Sequence, residues 1–186
     1  MKRLFLFITM ISLGACKSPE ARYPVSQNSG SYISESIAKN QKLLEKEVAK
    51  IETIIKEDST REYKSSQNGF WYVYNKKATD TTNTATPEFG DIVEFDYSIS
   101  TLDDQIIYAE GEKATKTYAI DQEQLFSGLR QGLKLMKEGE TVTFLFPSYK
   151  AYGYYGDKNK IGSNLAIKTK VTLNKLTERE ELKTEN

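Results

Sequence analysis

The chain contains no histidine and a single cysteine, Cys16, among 186 residues. The missing histidine excludes Ser-His-Asp and Cys-His nucleophiles, and with one cysteine no zinc site of the Cys/His type can be assembled. A lone cysteine also forbids a disulfide within the chain. No charge of either sign is in excess, since Lys plus Arg and Asp plus Glu each number 26. Phosphate binding needs a clear basic excess on one face, so nucleic acid is excluded as an expected partner. What remains is carboxylate, lysine, serine or tyrosine chemistry, or catalysis by shape and environment, with no cofactor and no metal expected.

Long hydrophobic runs are absent as well. The most apolar stretch, MKRLFLFITMISLGA at residues 1–15, places Lys2 and Arg3 ahead of a run too short to span a bilayer comfortably. It reads as a secretory signal. It ends in LGAC, which resembles the lipobox of bacterial lipoproteins, where the cysteine is diacylated and becomes the mature N-terminus. The resemblance makes Cys16 an anchor rather than a reagent, although a plain signal peptide with a cysteine there by accident remains the alternative. Each buried acyl methylene contributes roughly 0.8 kcal/mol, so two or three chains hold a protein at a membrane durably. Lys17 follows, so the aspartate that retains an enterobacterial lipoprotein at the inner membrane is absent. The expected location is therefore a membrane surface facing the periplasm, with the outer membrane favoured over the inner. Loss of the signal removes Lys2 and Arg3 and leaves the mature chain slightly acidic.

Residues 16–33 carry two prolines with scattered serine, asparagine and glycine, and read as a flexible tether. From about Ser34 to Asp58, Ile33, Ile37, Leu44, Val48, Ile51 and Ile55 recur at helical spacing with lysines and glutamates between them. Ser34 is the expected N-cap of this amphipathic helix, and Lys56 lies near its C-terminal end where the dipole favours a cation. Its stripe packs on the following domain, or dimerises as a short coiled coil, or rests on a membrane surface. The helix and its linker take residues 34–67.

The remainder alternates as strands do. GFWYVYNKK is dense in aromatic and β-branched residues, and DIVEFDYSIS sets Val93, Phe95 and Tyr97 against Ile92, Glu94 and Asp96. QIIYAEG, TKTYAI, TVTFLFP and LAIKTKVTLNKL follow as further strands, and QEQLFSGLRQGLKLM places Leu125, Leu129, Leu133 and Met136 on one helical face. Several antiparallel strands around one short helix make an α+β domain of roughly 110 to 120 residues, enough for one core. Residues 68–176 form this domain and residues 177–186 a charged tail.

Four segments in this order, GDIVEFDYSI, LFSGLRQGLKLMKEGE, FLFPSYKAYGYYG and VTLNKL, resemble the FKBP-type (macrolide-binding) prolyl isomerases. The resemblance implies a bent antiparallel sheet wrapped around one short helix, and covers about residues 68–176. The preceding helix and lipobox further resemble the gliding-motility-associated FKBP-type lipoproteins of the Bacteroidetes. By this resemblance Tyr97, Tyr108, Phe126, Leu129, Tyr152 and Ile161 form the catalytic cleft, with Leu125, Tyr118 and Tyr154 as substrate-binding neighbours. Tyr152, in AYGYYG, points its hydroxyl into the cleft; Leu129 floors it where many members have tryptophan. Phe126 and Ile161 resemble the pair whose backbone groups hold a proline-containing ligand, with the Ile161 N–H as donor. Tyr149, Tyr154 and Tyr155 either rim the cleft or only pack on the sheet.

Three residues depart from the family pattern. Ala109 follows Tyr108 where an aspartate is usual, with Glu110 one position later; Thr169 replaces a common aromatic; and Lys160 precedes Ile161 where an apolar residue is usual. They imply altered ligand preference, weaker binding of macrolide inhibitors and reduced activity. The implied partners are proline-containing segments of exported proteins, and the membrane through the lipid anchor. A chaperone or binding module without turnover is the second reading. Carboxylate hydrolysis by Asp103 and Asp104 is a third, opposed by the adjacency of the two residues in a turn.

Overall fold

The computed structural model describes residues 29–79 and 85–179. The expected signal 1–15, Cys16, the tether as far as residue 28, connector residues 80–84 and the tail from residue 180 lie outside the described residues. The chain divides into two units, residues 1–37 and 38–186. In the first, residues 29–37 are helical, with Tyr32, Ile33 and Ile37 exposed.

Helix α1 runs Ser29–Glu57 and so starts ahead of the expected cap at Ser34. Pro24 is the last proline before it, and between Ser29 and Ser34 only Gly30 opposes helix, by about 1 kcal/mol relative to alanine. Once a helix is nucleated, each further residue adds a hydrogen bond, so the helix extends backward into what composition marks as tether.

The strands are β1 (Lys64–Ser65), β2 (Trp71–Lys76), β3 (Ile92–Thr101), β4 (Ile106–Tyr108), β5 (Lys116–Ala119), β6 (Thr141–Phe146) and β7 (Ile167–Thr177). All pairings are antiparallel, in the order β1-β2-β6-β7-β3-β4, with β5 also on β3. Long strands β3 and β7 form the spine, pairing from Ile92↔Thr177 to Thr101↔Ile167.

Helix α2 (Ser127–Leu133) lies against one face of this sheet. A Cβ on Gly128 would sit 2.5 Å from the Phe146 ring, and one on Gly132 would sit 2.8 Å from the Phe144 ring. These two glycines, one helical turn apart, let the backbone settle directly onto the stacked Phe144 and Phe146 rings. The helix is shorter than the apolar spacing predicts. Asp121 takes a positive φ of 59° and Phe126 is extended, so residues 122–126 approach as a turn even though Leu125 continues the spacing. Beyond Leu133 the same face continues as a turn, with Leu135 N–H donating to Gly132 O and Met136 N–H to Leu133 O.

The core follows from the alternation in the strands. Val93, Phe95, Ile99, Val142, Phe144, Phe146, Val171 and Leu173 point to the α2 side and are buried with Phe70, Leu129, Leu133 and Met136. Leu145 faces the other way and joins Ile51, Leu102 and Ala166, against which Ile54, Ile55, Tyr63 and Trp71 pack. The C-terminal half of α1 therefore covers the back of the sheet, while Leu44, further up the same stripe, is exposed. Full burial of an isoleucine such as Ile51 contributes about 1.5–3 kcal/mol.

Thr169 is fully buried on β7 between Ile99 and Phe144, and its Oγ1 has no hydrogen-bond partner among the described residues. An unsatisfied buried hydroxyl costs about 1–3 kcal/mol. Thr169→Val, which removes the hydroxyl at nearly constant shape, is expected to raise stability by about 1 kcal/mol, read as a higher urea midpoint at unchanged slope.

Candidate functional site

The turn into α2 sets the first wall of the site. Because Phe126 is extended at the N-cap position, its carbonyl accepts the Arg130 N–H at 3.1 Å. Its own N–H has no partner among the described residues, as expected for a donor that precedes the first helical turn. Its ring rests edge-on against Phe146 at 5.5 Å and beside Tyr152 at 4.9 Å. Tyr152 is brought there by the loop after β6, where two short 3₁₀ turns, Ser148–Lys150 and Gly153–Tyr155, flank it.

The Tyr152 hydroxyl makes no hydrogen bond among the described residues. Burial pushes its pKa well above the usual tyrosine value, and the neighbouring Tyr97, Asp157 and Tyr108 push it further, so it stays a neutral donor. Tyr97, half-buried, comes from β3, and Leu129 forms a fully buried floor with Tyr108 and Ile161. Tyr97, Leu125, Phe126 and Tyr152 pack on that floor while keeping some exposure. The fold thus assembles Tyr97, Tyr108, Leu125, Phe126, Leu129, Tyr152 and Ile161 from four separate segments.

Two expected residues lie elsewhere. Tyr118 is fully buried in β5, paired with Val93, and its hydroxyl donates to the Glu123 carbonyl at 3.3 Å. It is a residue of the buried core. Tyr154 is 71% exposed and meets Tyr155 edge to face. The Ile161 N–H is not a free donor either. It donates to Asp157 Oδ1 at 2.8 Å while the Ile161 carbonyl accepts the Asp157 N–H at 3.1 Å, so the free backbone donor at this site is that of Phe126.

Asp157 escaped the sequence reading. Its carboxylate accepts the Tyr108 hydroxyl and the Asn159 and Ile161 N–H groups. Glu110 instead pairs with Lys170 at 3.1 Å, and the Ala109 N–H donates to Glu112. Lys113 lies 3.9 Å from the Tyr108 ring centre and Lys160 lies 5.0 Å from it, a cationic cover that apolar patterning gives no hint of. Asp103 and Asp104 point to different lysines, Lys50 and Lys168, and flank no common point.

Burial alone would raise the Asp157 pKa, but the Tyr108 hydroxyl, the two N–H groups and nearby Lys113 together hold it below the ordinary aspartate value. A carboxyl held low in the folded state contributes stability that is present above its unfolded pKa of about 3.9 and lost as pH falls through the folded value. The loop is therefore expected to loosen below about pH 4, seen as faster amide exchange at Asn159 and Ile161, and Asp157→Asn is expected to flatten that dependence.

Residues 83–174 match the FKBP-type peptidyl-prolyl cis-trans isomerase family. Over 126 residues the chain is 29% identical to a Neisseria meningitidis serogroup B protein described as "Probable FKBP-type peptidyl-prolyl cis-trans isomerase FkpA". That match covers 67% of this chain and 44% of the relative, so the chain spans less than half the length of that protein. In fold it is similar to a peptidyl-prolyl cis-trans isomerase from Pseudomonas syringae pv. tomato, with a TM-score of 0.58 at 19% identity, over 74% of this chain and 96% of that one. It is also similar to FkpA from Escherichia coli, with a TM-score of 0.57 at 18% identity, over 95% of this chain and 81% of that one. Residues 83–174 are thus the part of the chain that is similar to the FKBP-type peptidyl-prolyl cis-trans isomerases.

Proposed function

We propose that the protein is a peptidyl-prolyl cis-trans isomerase, tethered to a membrane by a lipid on Cys16, that speeds the folding of exported or envelope proteins. The observation that carries this reading is a pair of donors without partners among the described residues, the Phe126 N–H and the Tyr152 hydroxyl, beside a buried floor of Leu129, Tyr108 and Ile161.

Rotation about a prolyl amide must cross about 18–20 kcal/mol because it breaks resonance. At the top of the barrier the C–N bond is twisted and the carbonyl has lost much of its dipole. Apolar side chains that strip water from the planar amide destabilise it relative to the twisted form. The two donors hold the flanking carbonyls so that the proline ring sits over Leu129 in one orientation. Each 1.36 kcal/mol of differential stabilisation is tenfold in rate, and no acid, base or metal is needed. A chain without histidine is fully equipped for such chemistry.

Uncatalysed isomerisation takes tens to hundreds of seconds and limits the folding of many chains, which makes exported proteins with Xaa-Pro bonds suitable clients. The LGAC motif supports the anchor, and the wider resemblance of helix and lipobox supports clients within a gliding apparatus. A binding module without turnover is the second reading, favoured by Ala109. Refolding of a small protein limited by a prolyl step tests the first reading: catalytic amounts of the chain should accelerate the slow phase, whereas a module that only binds would leave it unchanged or retard it. Cys16→Ala should move the protein from the membrane fraction to the soluble one, and equal partition of the two forms would remove the anchor.

A further inference from the structure

We propose that Glu47, on helix α1 and outside the cleft, is a positioning residue for the loop that carries Tyr152; the effect on catalysis rests on the isomerase reading above. Glu47 is 7% exposed, and its Oε2 accepts the Ser148 N–H at 3.0 Å across 101 positions of sequence. Its Oε1 is shielded and has no partner among the described residues.

The location of that N–H explains its importance. Strand β6 ends at Phe146, and Pro147 has no N–H to offer, so Ser148 provides the first backbone donor after the ladder ends. From there the backbone folds tightly. The Pro147 carbonyl accepts the Lys150 N–H at 3.0 Å and the Ala151 N–H at 3.2 Å, and Tyr152 follows. The same turn touches the start of α2. Ser127 Oγ donates to the Lys150 carbonyl at 3.4 Å, and a Cβ on Gly128 would stand 2.8 Å from that oxygen. Fixing Ser148 therefore fixes the seating of the turn against Ser127 and Gly128, beside Phe126, and with it the separation of Phe126 from Tyr152.

An apolar side chain at position 47 would cover the same surface without stripping water from a carboxylate. The carboxylate instead supplies a hydrogen-bond acceptor at the point where the strand becomes the loop. Helix α1 is thus tied to this loop through the Glu47–Ser148 hydrogen bond, while its apolar contacts through Ile51, Ile54 and Ile55 go to the back of the sheet.

The test compares Glu47→Ala, Glu47→Gln and Ile54→Ala in the full chain, by peptide cis/trans exchange and by amide NMR. Glu47→Ala is expected to lower kcat/KM by about tenfold, because small displacements of positioning groups cost that much or more, and to shift the amides of Ser148 to Tyr152. Glu47→Gln keeps an oxygen acceptor and should restore both readouts to within about twofold of wild type. Ile54→Ala loosens the same helix without touching Ser148; it should lower Tm but leave exchange and those amides near wild type. Unshifted loop amides in Glu47→Ala, or an equal loss of exchange in Ile54→Ala, would overturn the proposal. Should the wild-type chain show no catalysed exchange, the isomerase reading fails, and the loop amides still decide whether Glu47 positions the turn.

Discussion

Gly156→Ala is expected to lower kcat/KM for prolyl isomerisation at least about tenfold while the sheet stays folded. Gly156 closes the second 3₁₀ turn at φ 63° and ψ −163°, a region essentially reserved for glycine. An alanine there carries about 1–3 kcal/mol of backbone strain. Space is also lacking, since the added Cβ would stand 2.2 Å from the Ile161 carbonyl oxygen. That oxygen accepts the Asp157 N–H, and the Asp157 carboxylate in turn holds the Ile161 N–H and the Tyr108 hydroxyl. Any shift that relieves the clash therefore breaks the tie between the loop and Tyr108, and Tyr152 loses its fixed place beside Phe126. Gly111→Ala is the control. It has a similar positive φ of 78° but nothing within 4 Å of the added Cβ, so it should cost some stability and leave activity alone.

Phe146→Ala should produce the largest loss of stability, about 3–5 kcal/mol, since removal of a buried aromatic leaves a cavity as well as lost transfer energy. The ring is fully buried, stacked on Phe144 at 5.4 Å, tilted against Phe70 at 5.2 Å and met by the edge of Phe126 at 5.5 Å. Gly128 approaches it so closely that the helix cannot sink further to fill the space. Against a total stability of about 5–15 kcal/mol the substitution takes a large share. Urea unfolding should show the midpoint falling at constant slope, and any activity that survives should be reduced because Phe126 has lost its support. Phe146→Leu, which keeps part of the volume, should lose markedly less of both.

The strands were legible because their physics is local. Alternation in DIVEFDYSIS predicts which of Val93, Phe95 and Tyr97 turn inward, and the register with β7 agrees. Helix ends were less legible. Leu125 keeps helical spacing, yet tertiary packing holds it in the turn before α2, and that turn leaves the Phe126 N–H without a partner among the described residues. Site residues divide the same way. The motifs LFSGL and AYG name Phe126 and Tyr152, whose rings the fold brings to 4.9 Å, while Tyr118 is buried with its hydroxyl held by the Glu123 carbonyl, a contact that composition cannot reveal. Asp157 and Glu47 were invisible because Tyr108, which ties Asp157 to the floor, and Ser148, the partner of Glu47, lie 49 and 101 positions away. Pairings at that range are decided by the fold, and a single charged residue in a loop or helix looks like solvated surface until its partner is known.

The most direct test of the central claim is cis/trans exchange of a Xaa-Leu-Pro-Xaa peptide measured by NMR with the full chain and its Tyr152→Phe variant. Exchange well above the uncatalysed rate, reduced in the variant while peptide binding persists, is the predicted result. Exchange at the uncatalysed rate, with peptide-induced shifts still mapping to Tyr97, Phe126 and Tyr152, would contradict it and leave a module that binds proline segments without turning them over.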